Sequence, residues 1–368
     1  GLSYEDYSLN DGKIASYYPN ALFLSSDGTV TGAGQNLNGQ TDIPEGLNNV
    51  ISVELAQFHA LALRSNGTVV AWGNPSNDYG LTDVPEDLTD VVKISNSPFH
   101  NIALRSDGTV VSWGYQIPGF LAVPEGLNDI ISISAGWTHG LALRSDGTVA
   151  CWGANNYGVC DIPEGLNDVV EIASGNYHNL ALRSDGTVVT WGLSSSDNSY
   201  AADIPGTCGP EGVENQNGDV CDSIDNEEAC TQSGCEWDPD GLAGHNVAHI
   251  AAKQNHSLAI KIGGEVVAWG DNSSGQTDIP AELQDVAGIE TGNYTNYALK
   301  YDGTFEAWGY CSFEICDAPD SSYTVDITSA LCCEDVVDEC GVCGGNGAVF
   351  GDTGCCEIDV DECGVCNG

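Results

Sequence analysis

Apolar and polar positions alternate in short bursts along most of this chain. Residues 169–192 read VVEIASG, then HNLALRSDG from 178, then TVVTWG from 187. In each burst strand-favouring residues alternate with small or polar ones. The same bursts return as HALALRSNGTVVAWG at 59–73 and HGLALRSDGTVACWG at 139–153. No stretch carries a convincing 3.6-residue period, so the pattern predicts almost no helix. Ser-Asp-Gly-Thr joins the second and third bursts. Asp-Gly between two such runs predicts a hairpin in which both turn residues take positive φ. A short Asp-Ile-Pro follows and is read as a fourth strand.

The spacing of the bursts sets the architecture. Their tryptophan falls at Trp72, Trp113, Trp152, Trp191, Trp269 and Trp308, at intervals of 41, 39, 39, 78 and 39 residues. The interval of 78 is twice 39, with unrelated, cysteine-bearing sequence at 206–244 in place of a repeat. Stepping back 39 residues from Trp72 reaches Ala33, in SSDGTVTGAG, a copy that has lost its tryptophan. Seven copies of about four strands predict a radial array, because one blade cannot bury both of its faces and a closed ring of blades can.

The phrase H-x-L-A-L-R-S-D-G-T-V-V-x-W-G is followed by DIPEGL (Asp161–Leu166) and DVVEIASG (Asp168–Gly175). Together these resemble the repeats of the regulator-of-chromosome-condensation family, and the short PEGL variety is similar to secreted bacterial versions. The resemblance spans roughly residues 11–330 less the insertion. It implies a seven-bladed propeller and says almost nothing about function. The fold class is therefore all-β: a seven-bladed β-propeller at 11–330 after an N-terminal extension at 1–10, with a disulfide-rich insertion at 206–244 between blades five and six and a disulfide-rich tail at 331–368.

Charge narrows the function. There are 54 acidic residues against 9 basic, a formal net charge of −45. Such a surface repels phosphate backbones, so no nucleic-acid partner is expected, and the chromatin role of the family's namesake does not carry over. No run approaches the roughly 18 apolar residues of a membrane helix, so direct membrane insertion is not expected either. The chain starts at Gly1 and has no Met, as a mature chain without its leader would.

Sixteen cysteines point to an oxidising compartment. Cys151 and Cys160 lie in blade four, Cys311 and Cys316 in blade seven, and each pair is expected to bridge within its blade. The insertion holds Cys208, Cys221, Cys230 and Cys235; the tail holds Cys332, Cys333, Cys340, Cys343, Cys355, Cys356, Cys363 and Cys366. Every segment has an even number, as local pairing requires. The tail is itself a tandem repeat, CCEDVVDECGVCGGNG and CCEIDVDECGVCNG, with a shift of 23 residues. It resembles the DECGVCGG modules of large surface proteins of marine microbes and their phages. Its two Cys-x2-Cys pairs fit a zinc-ribbon spacing, but the extra Cys-Cys pairs and the tandem period favour disulfides, and no metal or other cofactor is expected. Asp335, Asp338, Glu339, Asp359, Asp361 and Glu362 are weak calcium candidates, without an EF-hand loop pattern. In the insertion, Trp237 is the candidate contact anchor.

Two repeat positions invite chemistry. His59, His100, His139, His178 and His256 share one; a metal ring is the sharp reading, and a core histidine hydrogen-bonded within its own blade is the preferred one. Arg64, Arg105, Arg144, Arg183, Lys261 and Lys300 share the other, six of the nine cations. They are expected to pair with Asp42, Asp83, Asp161, Asp203 and Asp278 or their neighbouring Glu residues. No arrangement of a nucleophile with a base stands outside the structural repeat, so no catalytic residue is named. Two functions remain: a structural or adhesive protein of the cell or virion surface, its propeller carried on a stapled stalk and self-associating; or a secreted binding module, inhibitor or lectin-like, working through protein contacts. A last expectation concerns closure. The inner-strand pattern occurs at Lys13–Ser16 and again at Val325–Ser329, and the first is assigned to blade one.

Overall fold

The computed structural model describes residues 12–74, 76, 79–115, 122–193, 247–313, 315 and 316, and the backbone of 207–208 and 237–238. Each burst of the sequence becomes one strand, and each repeat becomes one three-stranded antiparallel sheet. Seven such sheets stand as blades, and no helix occurs among the described residues. The inner strands are Ile14–Tyr17, Val50–Leu55, Val91–Asn96, Ile130–Ala135, Val169–Ser174, Val247–Lys253 and Val286–Thr291. The middle strands are Asn20–Leu24, His59–Arg64, His100–Arg105, His139–Arg144, His178–Arg183, His256–Lys261 and Thr295–Lys300. The outer strands are Val30–Gly34, Val69–Gly73, Val110–Gly114, Val149–Gly153, Val188–Gly192, Val266–Gly270 and Phe305–Gly309.

The expected fourth strand is absent among the described residues. The Asp-Ile-Pro segments run as irregular links from one blade to the next. Their proline has no N–H for a ladder, which keeps them out of the sheet. The hairpins also differ from expectation. Only their glycine takes positive φ, as at Gly108 and Gly147, both +79°. The aspartate before it stays right-handed and accepts from the threonine beyond: Asp107 Oδ1 takes the Thr109 N–H at 2.9 Å and its hydroxyl at 2.7 Å. This is a three-residue loop with a glycine bulge. Of the nine left-handed non-glycine sites among the described residues, five, at Asn49, Asp90, Asp129, Asp168 and Asp285, lie just before the inner strands, residue types that tolerate that conformation.

The Leu-Ala-Leu alternation is explained by packing. Middle strands are buried on both faces, because each blade is clamped between two others. Leu61 and Leu63 join the core shared with blade three, whereas Ala60 and Ala62 join the core shared with blade one. Large residues point forward and small ones back, so each leucine enters the space a neighbouring alanine leaves. Seven such cores close the circle. The seventh joins Ile14, Ala21 and Phe23 of blade one to Tyr297 of blade seven and to Ile315.

Blade one is built from contiguous sequence, with Ile14–Tyr17 pairing Asn20–Leu24 as its inner strand. The N-terminal strand thus takes the position assigned to it; Val325–Ser329 lies outside the described residues. Within the insertion, Thr207–Cys208 pairs antiparallel with Trp237–Asp238. The proposed bridges of the insertion and tail, the weak calcium candidates, and the side chain of Trp237 lie outside the described residues. Both bridges expected within blades are formed, Cys151–Cys160 and Cys311–Cys316. Cys151 sits on the outer strand of blade four and Cys160 on the link entering blade five. Replacing both with serine should cost about 2–3 kcal/mol in the chain-entropy account. Urea unfolding followed by tryptophan fluorescence measures this; an unchanged midpoint would contradict it.

Candidate functional site: an aromatic face around the channel mouth

The inner strands surround a channel enclosing a cavity of about 140 Å³. It is lined by polar and charged side chains, among them Glu54, Lys93, Glu171, His249, Lys253 and Glu290. Three of them are held in place. His249 Nδ1 lies 2.7 Å from Glu171 Oε1, and the Lys253 ammonium reaches Leu55 O of blade two at 3.2 Å. Lys13, Lys93 and Lys253 are the three cations outside the six-membered ring. All three belong to or adjoin inner strands, so every cation of the chain sits at the channel or at the hairpins.

The ring at the hairpin end does not form the expected pairs. Arg105 reaches Asp87, with Nη2 at 3.1 Å from its carbonyl and 3.9 Å from its carboxylate. Lys261 meets Glu265 at 3.2 Å and Lys300 meets Glu306 at 2.7 Å, each on its own hairpin. Asp42, Asp161 and Asp278 are engaged at the other end of the blade. They accept from the side-chain N–H groups of Asn36, Asn155 and Asn272 at 2.6, 2.7 and 2.8 Å, closing the turn after each outer strand. The reason is the chain path: the link begins at the end where the outer strand stops, opposite the hairpin. Asp203 lies outside the described residues.

The histidines form no metal ring; each is buried within the blade packing. They bond forward, across the blade boundary, rather than within their own blade. His59 Nε2 donates to Asn101 Oδ1 at 2.5 Å, His139 to Asn179 at 2.7 Å, and His256 to Asn296 at 2.6 Å. His178 meets Ser257 Oγ at 2.9 Å. The acceptor always follows the position equivalent to histidine in the next blade. Blade four has Gly140 there, and His100 turns back to Ser97 of its own blade at 2.8 Å. Each asparagine also donates to the incoming link, as Asn179 Nδ2 does to Val159 O at 2.8 Å, where Trp191 Nε1 donates too at 2.8 Å. Burial holds His59, His139 and His256 down to about 4, and His100 and His178 down to about 3. All five are neutral at pH 7, when a buried imidazolium would be costly.

A feature absent from the sequence reading dominates the face where inner strands end. The turn into the middle strand carries an aromatic residue in six blades: Tyr18, Phe58, Phe99, Trp137, Tyr177 and Tyr294. Neighbouring rings touch across blades. Phe99 and Trp137 meet edge-on with centroids at 5.2 Å, and Trp137 and Tyr177 lie at 6.5 Å. Residues beyond the outer strands extend the arc: Tyr79 packs on Tyr115 at 4.6 Å and Tyr157 on Tyr177 at 4.5 Å. A second group joins blades seven and one, with Tyr18 edge-on to Tyr294 and Tyr310. Tyr157 and Tyr310 remain 46% and 49% exposed, large values for rings already in contact. The signal was in the sequence, as FH, WTH or YH before the middle strands of blades two to five, but the histidine beside it drew the chemistry.

Residues 50–80, 130–159, 169–200 and 247–276 match the regulator of chromosome condensation (RCC1) repeat. No curated protein matches the chain significantly. Among solved structures, the CRINKLY WD40 ectodomain of the Arabidopsis thaliana receptor kinase ACR4 is 20% identical with a TM-score of 0.57, over 82% of this chain and 97% of that one. The ectodomain of the Physcomitrella patens receptor kinase CR4 is 18% identical with a TM-score of 0.57, over 81% and 72%. Prp20p of Saccharomyces cerevisiae, studied for its binding to Gsp1p and histones, is 21% identical with a TM-score of 0.55, over 76% of each chain. At these identities the likeness is one of fold. The chain carries RCC1 repeats, folded as a seven-bladed propeller of the RCC1 type.

Proposed function

We propose that this protein is a non-catalytic recognition module of an extracellular or surface setting, and that the aromatic face is where it grips a protein partner. The observation that carries this reading is the arc from Tyr79 to Tyr177, whose rings are left partly exposed around the channel mouth. Tyrosine and tryptophan concentrate binding energy at protein interfaces, since each brings a large rigid area with a polar edge. The two bridges support an oxidising compartment. The net charge of −45 speaks against nucleic acid as the partner.

The adhesive reading, in which propellers are carried on a stapled stalk and self-associate, rests on the tandem cysteine repeat at 332–368. The two readings are compatible, with the tail as the carrier and the face as the contact. A photoreactive residue placed at position 157, in protein returned to its source material, should cross-link to a protein other than itself. The same group at position 146, on a hairpin, should not. Equal yields at the two positions would remove the aromatic face from the reading. Sedimentation of the full chain separates the two assemblies, since a stalk that polymerises gives species larger than the monomer.

A further inference from the structure

We propose that the aromatic face is built for a Lys- or Arg-rich protein segment; this rests on the reading above that the face binds a protein. The inference comes from where the nine cations are. Six lie at the hairpin end and three at the inner strands. Of those three, Lys253 comes nearest the aromatic mouth, and its ammonium is held by Leu55 O at 3.2 Å. The aromatic rings of this face therefore have no cation of their own chain over them among the described contacts. In proteins such ring faces attract ammonium and guanidinium groups.

The rim of the same face is acidic. Asp42, Asp83, Asp161 and Asp278 are exposed at the links that leave the outer strands. Asp42, Asp161 and Asp278 each use one carboxylate oxygen on an asparagine N–H, which fixes the group, and all three residues remain exposed. An apolar aromatic centre inside a charged rim is the usual anatomy of a protein interface, and here the rim has one sign. A cationic segment uses both parts, with its stems and charges over the rings and its ammonium or guanidinium groups at the rim. An anionic partner is repelled, and a neutral saccharide uses the rings while leaving the carboxylates idle.

The test uses the full chain and three probes: a peptide of alternating glycine and arginine, a glycine–serine peptide of equal length, and a neutral oligosaccharide. Fluorescence anisotropy at about 150 and 500 mM salt separates a screened charge effect from a contact that survives screening. The arginine peptide should bind, and part of that affinity should survive high salt. Tyr157→Ala and Trp137→Ala should each weaken it by about 10-fold, as loss of an interface aromatic commonly does. Asp87→Asn, at the hairpin end, should change it less than 2-fold, in line with one exposed charge. Tyr157 is exposed enough that its alanine variant folds, which near-UV circular dichroism checks; Trp137→Ala is read only with that control. Binding that vanishes at high salt and ignores both aromatic variants would overturn the proposal, as would a saccharide that binds in place of the peptide. If position 157 cross-links to a protein partner without a basic segment, the recognition reading stands and the cationic assignment falls.

Discussion

Lowering the pH from 7.5 to 5 is expected to unfold the propeller, well above the range in which carboxylates ordinarily titrate. Five histidines are buried, with native values of about 3 to 4 against 6.5 in an unfolded chain. Between those limits the unfolded state binds protons that the native state does not. Stability is therefore full above about 6.5 and falls as pH drops toward 4. One such group contributes a slope of about 1.4 kcal/mol per pH unit, and five together about 7. A typical domain has only about 5–15 kcal/mol in all. The hydrogen bonds sharpen the effect: Nδ1 of His59, His139 and His256 has no partner, so protonation there would bury an N–H with no acceptor. Asp107, Asp146, Asp185 and Asp302 are held below the usual carboxylate range by their threonines and lose that contribution only at lower pH. Relief of self-repulsion works the other way, but it begins only as carboxylates protonate. Thermal melts from pH 7.5 to 4.5 with near-UV circular dichroism read the result. A melting temperature that stays level down to pH 5 would show that the histidines are not held neutral.

The second large effect is expected at Asn179. Its side chain accepts from His139 of blade four and donates to Val159 O of the link. Asn179→Ala removes both bonds and leaves a buried imidazole N–H without an acceptor. The loss should be about 2–4 kcal/mol, since an orphaned buried polar group costs about 1–3 kcal/mol beyond the bond itself. A cycle with His139→Leu isolates the part that crosses the blade boundary. Once the histidine is gone, the further cost of Asn179→Ala should drop by about 1–2 kcal/mol, as coupling between contacting residues requires. Additive costs would mean that the two side chains do not stabilise the boundary together. Blade four offers an internal comparison. At Gly140 the missing side chain is replaced by the Trp152 ring, 2.5 Å from where a Cβ would stand, so an asparagine cannot be installed there without moving that ring.

Ring closure by contiguous blades gives these boundary contacts their weight. Among the described residues blade one takes no strand from the far end of the chain, and its junction with blade seven is made by side-chain packing together with the Tyr18 N–H, which donates to Asn293 Oδ1. Phe23 stacks on Phe305 with centroids at 5.2 Å, and the Tyr297 hydroxyl donates to Ile315 O at 2.6 Å. The Cys311–Cys316 bridge brackets that residue. The aromatic group of Tyr18, Tyr294 and Tyr310 sits over the same junction, so a partner bound there would also hold the ring closed.

Blade number, strand order and the two bridges within blades were legible from local sequence, because a 39-residue period and an alternation of two are properties of the chain alone. The face that the histidines share was readable as well. His178 shares parity with Leu180 and Leu182, and leucines at that parity face the next blade, as Leu141 and Leu143 do in their core with blade five. The partner was not readable, because nothing along one repeat says which neighbour lies on which side. The missing fourth strand, the pairing of the link aspartates with asparagines rather than arginines, and the joining of single aromatics into an arc were decided by tertiary structure. Each depends on which end of a blade a residue reaches and on what the adjoining blade presents there. Residues about 40 apart in sequence, such as Phe99 and Trp137, become neighbours only when the ring closes around its axis.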